Sequence, residues 1–215
     1  MMKAVIFDLD GVLVFTDQYH YRAWKEMADK LGIYFDEEIN NRLRGVSRRE
    51  SLEIILERYE GEPLTEEQIQ EYMTFKNNRY RELLTEMSPA DVAPEVRTCL
   101  VELRDKGYKL AIGSSSKNAK FILEKTDLTA AFDAVSDGTN ISQSKPHPEV
   151  FLKAAQYLGV DPDVSAVIED AKAGIDAAVS GGMYAIGIGD AADYAACDAS
   201  IKSLAELPAL LENLV

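Results

Sequence analysis

Five short apolar runs, separated over much of the chain by amphipathic segments, restrict this sequence to few folds. The runs lie at 4–7, 108–112, 134–135, 165–168 and 184–188, and each has the length of a buried strand rather than a helix. Between the later ones, helical patterns occupy 95–106, 118–127, 149–158 and 171–180. Three of them are followed by glycine, at Gly107, Gly159 and Gly181-Gly182. A glycine past a helix end supplies the left-handed stop. Strand and helix alternating in this way predict a Rossmann-like α/β core, a mostly parallel sheet with helices on both faces. In such sheets ligands sit beyond the carboxyl ends of the strands.

The pattern changes over residues 16–87, where no strand-like run occurs and polar-rich helical segments follow one another. This predicts a small helical-bundle domain inserted into a core made of 1–15 and 88–215, with hinges near Phe15-Thr16 and Met87–Pro89. Ser47 with Glu50, and Thr65 with Gln68, match the capping box that satisfies free amides at a helix start. Gly61-Glu62-Pro63 breaks the chain between them.

At 215 residues and 47% hydrophobic content the chain can bury a core of its own. Its 37 acidic against 23 basic residues give a formal charge of -14. That field repels nucleic acid and anionic membranes, so a phosphate ligand must be held by a local site. Two distant cysteines, Cys99 and Cys197, make no disulfide framework, which with the absence of a leader pattern or a run of roughly 20 apolar residues predicts a cytoplasmic, monomeric protein without membrane partners.

The candidate chemistry begins where the first strand ends. Asp8 and Asp10 are spaced i and i+2, so their carboxylates project to one side while the backbone stays extended. Alone, such a pair serves equally as loop caps beside a Gly11 turn. Three further features stand at later strand ends: Ser114 in a Gly-Ser-Ser-Ser-Lys-Asn segment expected to start a helix, Lys145 before Pro146, and Glu169-Asp170. Each has a plainer reading by itself, Ser114 as an ordinary N-cap and Lys145 as a solvated turn residue.

Together, in this order, these residues resemble the four motifs of the haloacid dehalogenase superfamily of phosphatases and phosphomutases. The resemblance implies Asp8 as a nucleophile that becomes an aspartyl phosphate and Asp10 as the general acid/base. It implies Ser114 as a phosphate ligand and Lys145 as the charge stabilising nucleophile and phosphoryl group. It also implies Mg²⁺ bound by the Asp8 carboxylate, the Asp10 backbone carbonyl, Asp170 and Glu169. The division of labour is physically reasonable, because a carboxylate beside a cation stays ionised while one facing a hydroxyl can exchange a proton.

Within that superfamily, the insert resembles the β-phosphoglucomutase family at His20, Trp24, Arg44-Gly45-Val46-Ser47-Arg48, Lys76 and Asn77. This implies isomerisation of a small sugar phosphate, β-D-glucose 1-phosphate to glucose 6-phosphate, through β-glucose 1,6-bisphosphate as an activating intermediate. Arg48, with Ser116, Lys117 and Asn118, would anchor the phosphate that is not reacting. His20 would hold the acid/base in its closed position, Trp24 and Val46 would line the sugar pocket, and Thr16, Ser51 and Ser115 would add substrate contacts. The residues also allow blander roles: Trp24 as helix core, His20 as a satisfied helical histidine, Arg44 and Arg48 as a solvated patch. The sequence departs from the family at Phe15, where Asp is usual, and at Arg44, where Lys is usual. A Mg²⁺-dependent sugar phosphatase using the same Asp8 and Asp10 is the competing expectation, and a non-catalytic sugar-phosphate sensor a third.

Overall fold

The computed structural model describes residues 2–43 and 46–214; Arg44 and Gly45 lie outside the described residues. In chain order, β1 (Ala4–Phe7) is followed by four helices, α1 (Asp17–Lys30), α2 (Glu37–Asn41), α3 (Arg48–Leu56) and α4 (Glu66–Leu84). Then come α5 (Pro94–Asp105), β2 (Lys109–Gly113), α6 (Ala119–Lys125), β3 (Ala134–Ser136), α7 (Glu149–Leu158), β4 (Ser165–Glu169), α8 (Lys172–Ser180), β5 (Tyr184–Gly187), β6 (Ala199–Ser200) and α9 (Leu207–Glu212). The chain divides into two compact units, one of Met1–Phe15 with Met87–Val215, the other of Thr16–Glu86.

The first unit is a parallel six-stranded sheet of order β3-β2-β1-β4-β5-β6, flanked by helices. Ala4 and Ile6 enter a buried cluster with Val150, Phe151 and Ala154 of α7 and Ile175 of α8. Val5 and Phe7 alternate to the other face and are equally buried. With both faces covered, β1 must be apolar throughout, which is why its sequence is a continuous hydrophobic run. Burying side chains the size of Val5, Ile6 or Phe7 stabilises the fold by about 1.5–3 kcal/mol each. Past the helix ends, Gly107, Gly159 and Gly182 have positive φ of 86°, 65° and 71°, the conformation that glycine tolerates and other residues resist.

From β1 the chain moves outward through β2 and β3, then returns to place β4 on the other side of β1. The strand order reverses between β1 and β4, the switch point where α/β sheets bind ligands. Phe7 pairs with Ile168 in register, so Asp8 and Glu169 emerge side by side.

The second unit is helical. Trp24, Met27, Ile33, Phe35, Leu52, Ile55 and Met73 form its buried cluster. Both expected capping boxes are present: Ser47 accepts from the Glu50 amide and Thr65 from the Gln68 amide, with the reciprocal side-chain bonds formed. No described helix is long and apolar enough to cross a membrane.

Candidate active site

The Asp8 amide donates to the Ile168 carbonyl at 2.9 Å, continuing the β1–β4 ladder by one residue and delivering the Asp8 side chain to the sheet edge, 7% exposed. The chain then turns sharply: Gly11 donates to the Val14 carbonyl at 2.8 Å with φ of +84°. The turn needs glycine for a second reason. A Cβ at Gly11 would stand 2.0 Å from Asp170 Oδ2, so the missing side chain is what admits the Asp170 carboxylate. Gly174 does the same for Glu169, whose Cδ lies 2.0 Å from where a Cβ would be.

Asp8, Glu169 and Asp170 each offer a carboxylate oxygen within 4.8 Å of the others. Lys145, from the loop before α7, joins Asp8 Oδ1 to Glu169 Oε2 through its Nζ, the second contact at 2.7 Å, and lies 4.6 Å over the Phe151 ring. Burial alone would depress the Lys145 ammonium, but the Asp8 and Glu169 carboxylates more than reverse this and raise it above the usual lysine value. Burial pushes the Glu169 carboxyl upward, with Lys145 opposing. Three carboxylates against one ammonium leave an excess of negative charge, and hard oxygen donors at this spacing suit a divalent cation such as Mg²⁺. The residues present therefore fit the expected metal. The Asp10 carboxylate is not in this cluster.

Ser114 does not start a helix as expected. Its amide continues the β2–β3 ladder to the Ser136 carbonyl at 3.1 Å, and α6 begins five residues later, at Ala119. The intervening loop is held by its own hydroxyls, because Ser114 Oγ accepts from the Ser116 amide and Ser116 Oγ from the Asn118 amide, both at 3.2 Å. Such side-chain turns compete with helix hydrogen bonding and delay the helix. Among the described residues the Ser115 hydroxyl is buried without a hydrogen-bond partner. Ser114 and Asn118 are buried and Lys117 is exposed.

In the helical unit, Lys76 on α4 is 3% exposed, and its Nζ lies 2.7 Å from His20 Nδ1 and 4.7 Å from the Trp24 and Tyr80 ring centres. His20 stacks on Tyr80 with centroids 4.0 Å apart. To meet an ammonium, His20 must present an unprotonated Nδ1. Desolvation first, then the Lys76 and Arg48 charges, hold its pKa well below 6.5. Arg48 Nη2 donates to Asn77 Oδ1 at 2.8 Å. Trp24 belongs to the helical core cluster. Ser47 caps α3, Ser51 is buried behind it, Val46 is half-buried, and the Thr16 carbonyl accepts the Tyr19 and His20 amides at 2.9 and 3.1 Å.

Sequence reasoning missed Tyr80, although it stands four residues after Lys76 and so on the same face of α4. It also missed Glu149, read there only as the start of a helix.

A family model for haloacid dehalogenase-like hydrolases matches residues 2–182. The chain is 42% identical over 207 residues to a β-phosphoglucomutase of Bacillus subtilis, covering 96% of this chain and 92% of that protein. It is 34% identical over 187 residues to a phosphorylated carbohydrates phosphatase of Thermotoga maritima, covering 86% and 84% of the two. Among solved structures, a β-phosphoglucomutase from Clostridium difficile superposes with a TM-score of 0.88 at 36% identity, over 99% of this chain and 96% of that one.

Proposed function

The chain belongs to the haloacid dehalogenase-like hydrolase family, and on that premise we propose that it is a β-phosphoglucomutase, interconverting β-D-glucose 1-phosphate and glucose 6-phosphate. The observation that carries the reading is the joining of Asp8 and Glu169 by Lys145 beside Asp170 at the sheet's switch point. That arrangement suits phosphoryl transfer to and from a carboxylate. Similarity to the Bacillus subtilis mutase along nearly the whole chain supports a sugar hydroxyl, rather than water, as acceptor.

In this mechanism Asp8 attacks phosphorus and carries the phosphoryl group, while Lys145 offsets charge on the nucleophile and on the oxygens in transfer. Asp10 returns a proton to the leaving hydroxyl and removes one from the accepting hydroxyl. Mg²⁺, held by Asp8, Asp170, Glu169 and the Asp10 carbonyl, would supply charge stabilisation when bound. The loop 114–118 grips phosphate through Ser114 and its neighbours. Arg48 holds the second phosphate of β-glucose 1,6-bisphosphate with a fork of donors that suits a phosphate. His20, Lys76, Asn77, Trp24, Val46, Ser47, Ser51 and Thr16, with Arg44 and Gly45, serve the sugar and the acid/base.

The 34% identity to the Thermotoga maritima phosphatase favours hydrolysis as the second reading. The two separate in one assay. β-Glucose 1-phosphate is incubated with Mg²⁺ and a trace of the 1,6-bisphosphate while glucose 6-phosphate and free phosphate are followed together. The mutase gives glucose 6-phosphate with little free phosphate; phosphate release without glucose 6-phosphate would sink that reading.

A further inference from the structure

Lys145 reaches Asp8 from a loop, so its ammonium is only as well placed as the chain between β3 and α7 is held. Glu149, the first residue of α7, does the holding. Its Oε2 accepts from the Ser142 amide at 2.9 Å, the Ser142 hydroxyl at 2.8 Å and the Gln143 amide at 2.8 Å. Its Oε1 pairs at 2.9 Å with Lys153, one turn along the helix, and Lys153 also donates to the Asn140 carbonyl. On the other side of Lys145, the His147 amide donates to the Ser144 carbonyl at 3.0 Å and the Glu149 amide to His147 Nδ1 at 3.2 Å. The chain on both sides of Lys145 is thus tied to the first turn of α7. That turn is itself immobilised, because Val150 and Phe151 are fully buried. Lys153 and the loop amides hold the Glu149 carboxyl down at about 2, so the clamp stays charged across the physiological range.

We propose that Glu149 is a positioning residue for Lys145: its carboxylate sets the path of residues 140–144 and through it the placement of the Lys145 ammonium against Asp8. The inference rests on the reading of Asp8 as nucleophile and Lys145 as its charge partner. Displacing a reacting group by about 1 Å costs up to about 100-fold in rate, and removing three loop hydrogen bonds allows a shift of that order.

The test measures total consumption of β-glucose 1-phosphate, as glucose 6-phosphate plus free phosphate, by wild type, Glu149→Ala, Glu149→Gln, Lys145→Ala and the Glu149→Ala/Lys145→Ala double variant. Glu149→Ala is expected to lower kcat about 10- to 100-fold with KM within about twofold. Glu149→Gln, which keeps an acceptor oxygen, recovers part of the loss. In the Lys145→Ala background, Glu149→Ala costs nothing further, as befits two residues acting through one interaction. A folded Glu149→Ala with wild-type kcat overturns the proposal, as does an equal loss with and without Lys145, which is the signature of a merely structural role. If Glu149→Ala does not fold, Glu149→Gln and Ser142→Ala carry the same comparison. A Lys145→Ala enzyme with wild-type kcat refutes instead the reading of the site beneath, and so separates the two failures.

Discussion

Replacing Gly11 by alanine tests whether the sharp turn after Asp8 exists to admit Asp170. The new Cβ would stand 2.0 Å from Asp170 Oδ2, and real Cβ atoms essentially never come closer than 3.0 Å. Asp170 must therefore withdraw by about 1 Å, several times the roughly 0.2 Å tolerance of a metal–ligand distance. The backbone adds its own cost, because at φ of +84° a Cβ crowds the following carbonyl by roughly 1–2 kcal/mol. Two separable effects follow. Thermal unfolding should drop by about 2–8 °C, at 2–4 °C per kcal/mol for a protein of this size. The Mg²⁺ concentration giving half-maximal turnover should rise by at least about tenfold, the scale seen when a metal ligand's support is lost. The assay is a Mg²⁺ titration of sugar-phosphate turnover, run beside a melting curve without metal. A variant that melts lower but keeps the wild-type Mg²⁺ half-saturation would refute the claim that Gly11 makes room for a metal ligand.

Three further outcomes are expected. Thr65→Ala removes the cap that accepts the Gln68 amide and should destabilise the helical unit by about 1 kcal/mol, read as a shift in its urea midpoint with turnover preserved at low temperature. His20 should titrate well below 6.5 by NMR. Because its folded pKa is depressed, stability is fully present above about 6.5 and declines as pH falls from there toward the folded value; a His20→Asn variant should lose less over that window in pH-dependent urea melts, and equal losses would remove His20 as the cause. Arg48→Ala should weaken activation by β-glucose 1,6-bisphosphate about tenfold or more, since a charge-assisted contact contributes about 1.5–3 kcal/mol, and unchanged activation kinetics would take Arg48 out of the second phosphate site.

The strands and most core helices were legible because their signals are local. Residues 4–7 are uniformly apolar since both faces of β1 are covered, and the helices ending near Gly107 and Gly159 carry their stop signals in the chain itself. The two capping boxes need only three residues' separation. β6 was missed because Ala199–Ser200 is a two-residue edge strand, too short to show any period. The start of α6 was legible to within one residue, at 118 against Ala119, but Ser114 does not open it, because Ser114 and Ser116 turn their hydroxyls onto the following amides, a choice that composition does not distinguish from an N-cap.

What the sequence by itself determined is the set of chemical groups and, for Asp8, Ser114, Glu169 and Asp170, their places at strand ends, since residue type and spacing along one strand are local properties; Lys145, expected at a strand end too, stands instead in the long loop between β3 and α7. Only the tertiary structure decided which of them meet. Lys145 stands 137 positions from Asp8, and it reaches that carboxylate because α7 packs against β1, β2 and β3 and because Glu149 ties the Lys145 loop to the first turn of that buried helix. The close approach of Asp170 depends on the absence of a Cβ at Gly11, and the neutral His20 on a buried Lys76 from another helix. Such contacts join residues far apart in the chain, so no local pattern records them, and it is burial and charge at the meeting point that give these groups their chemistry.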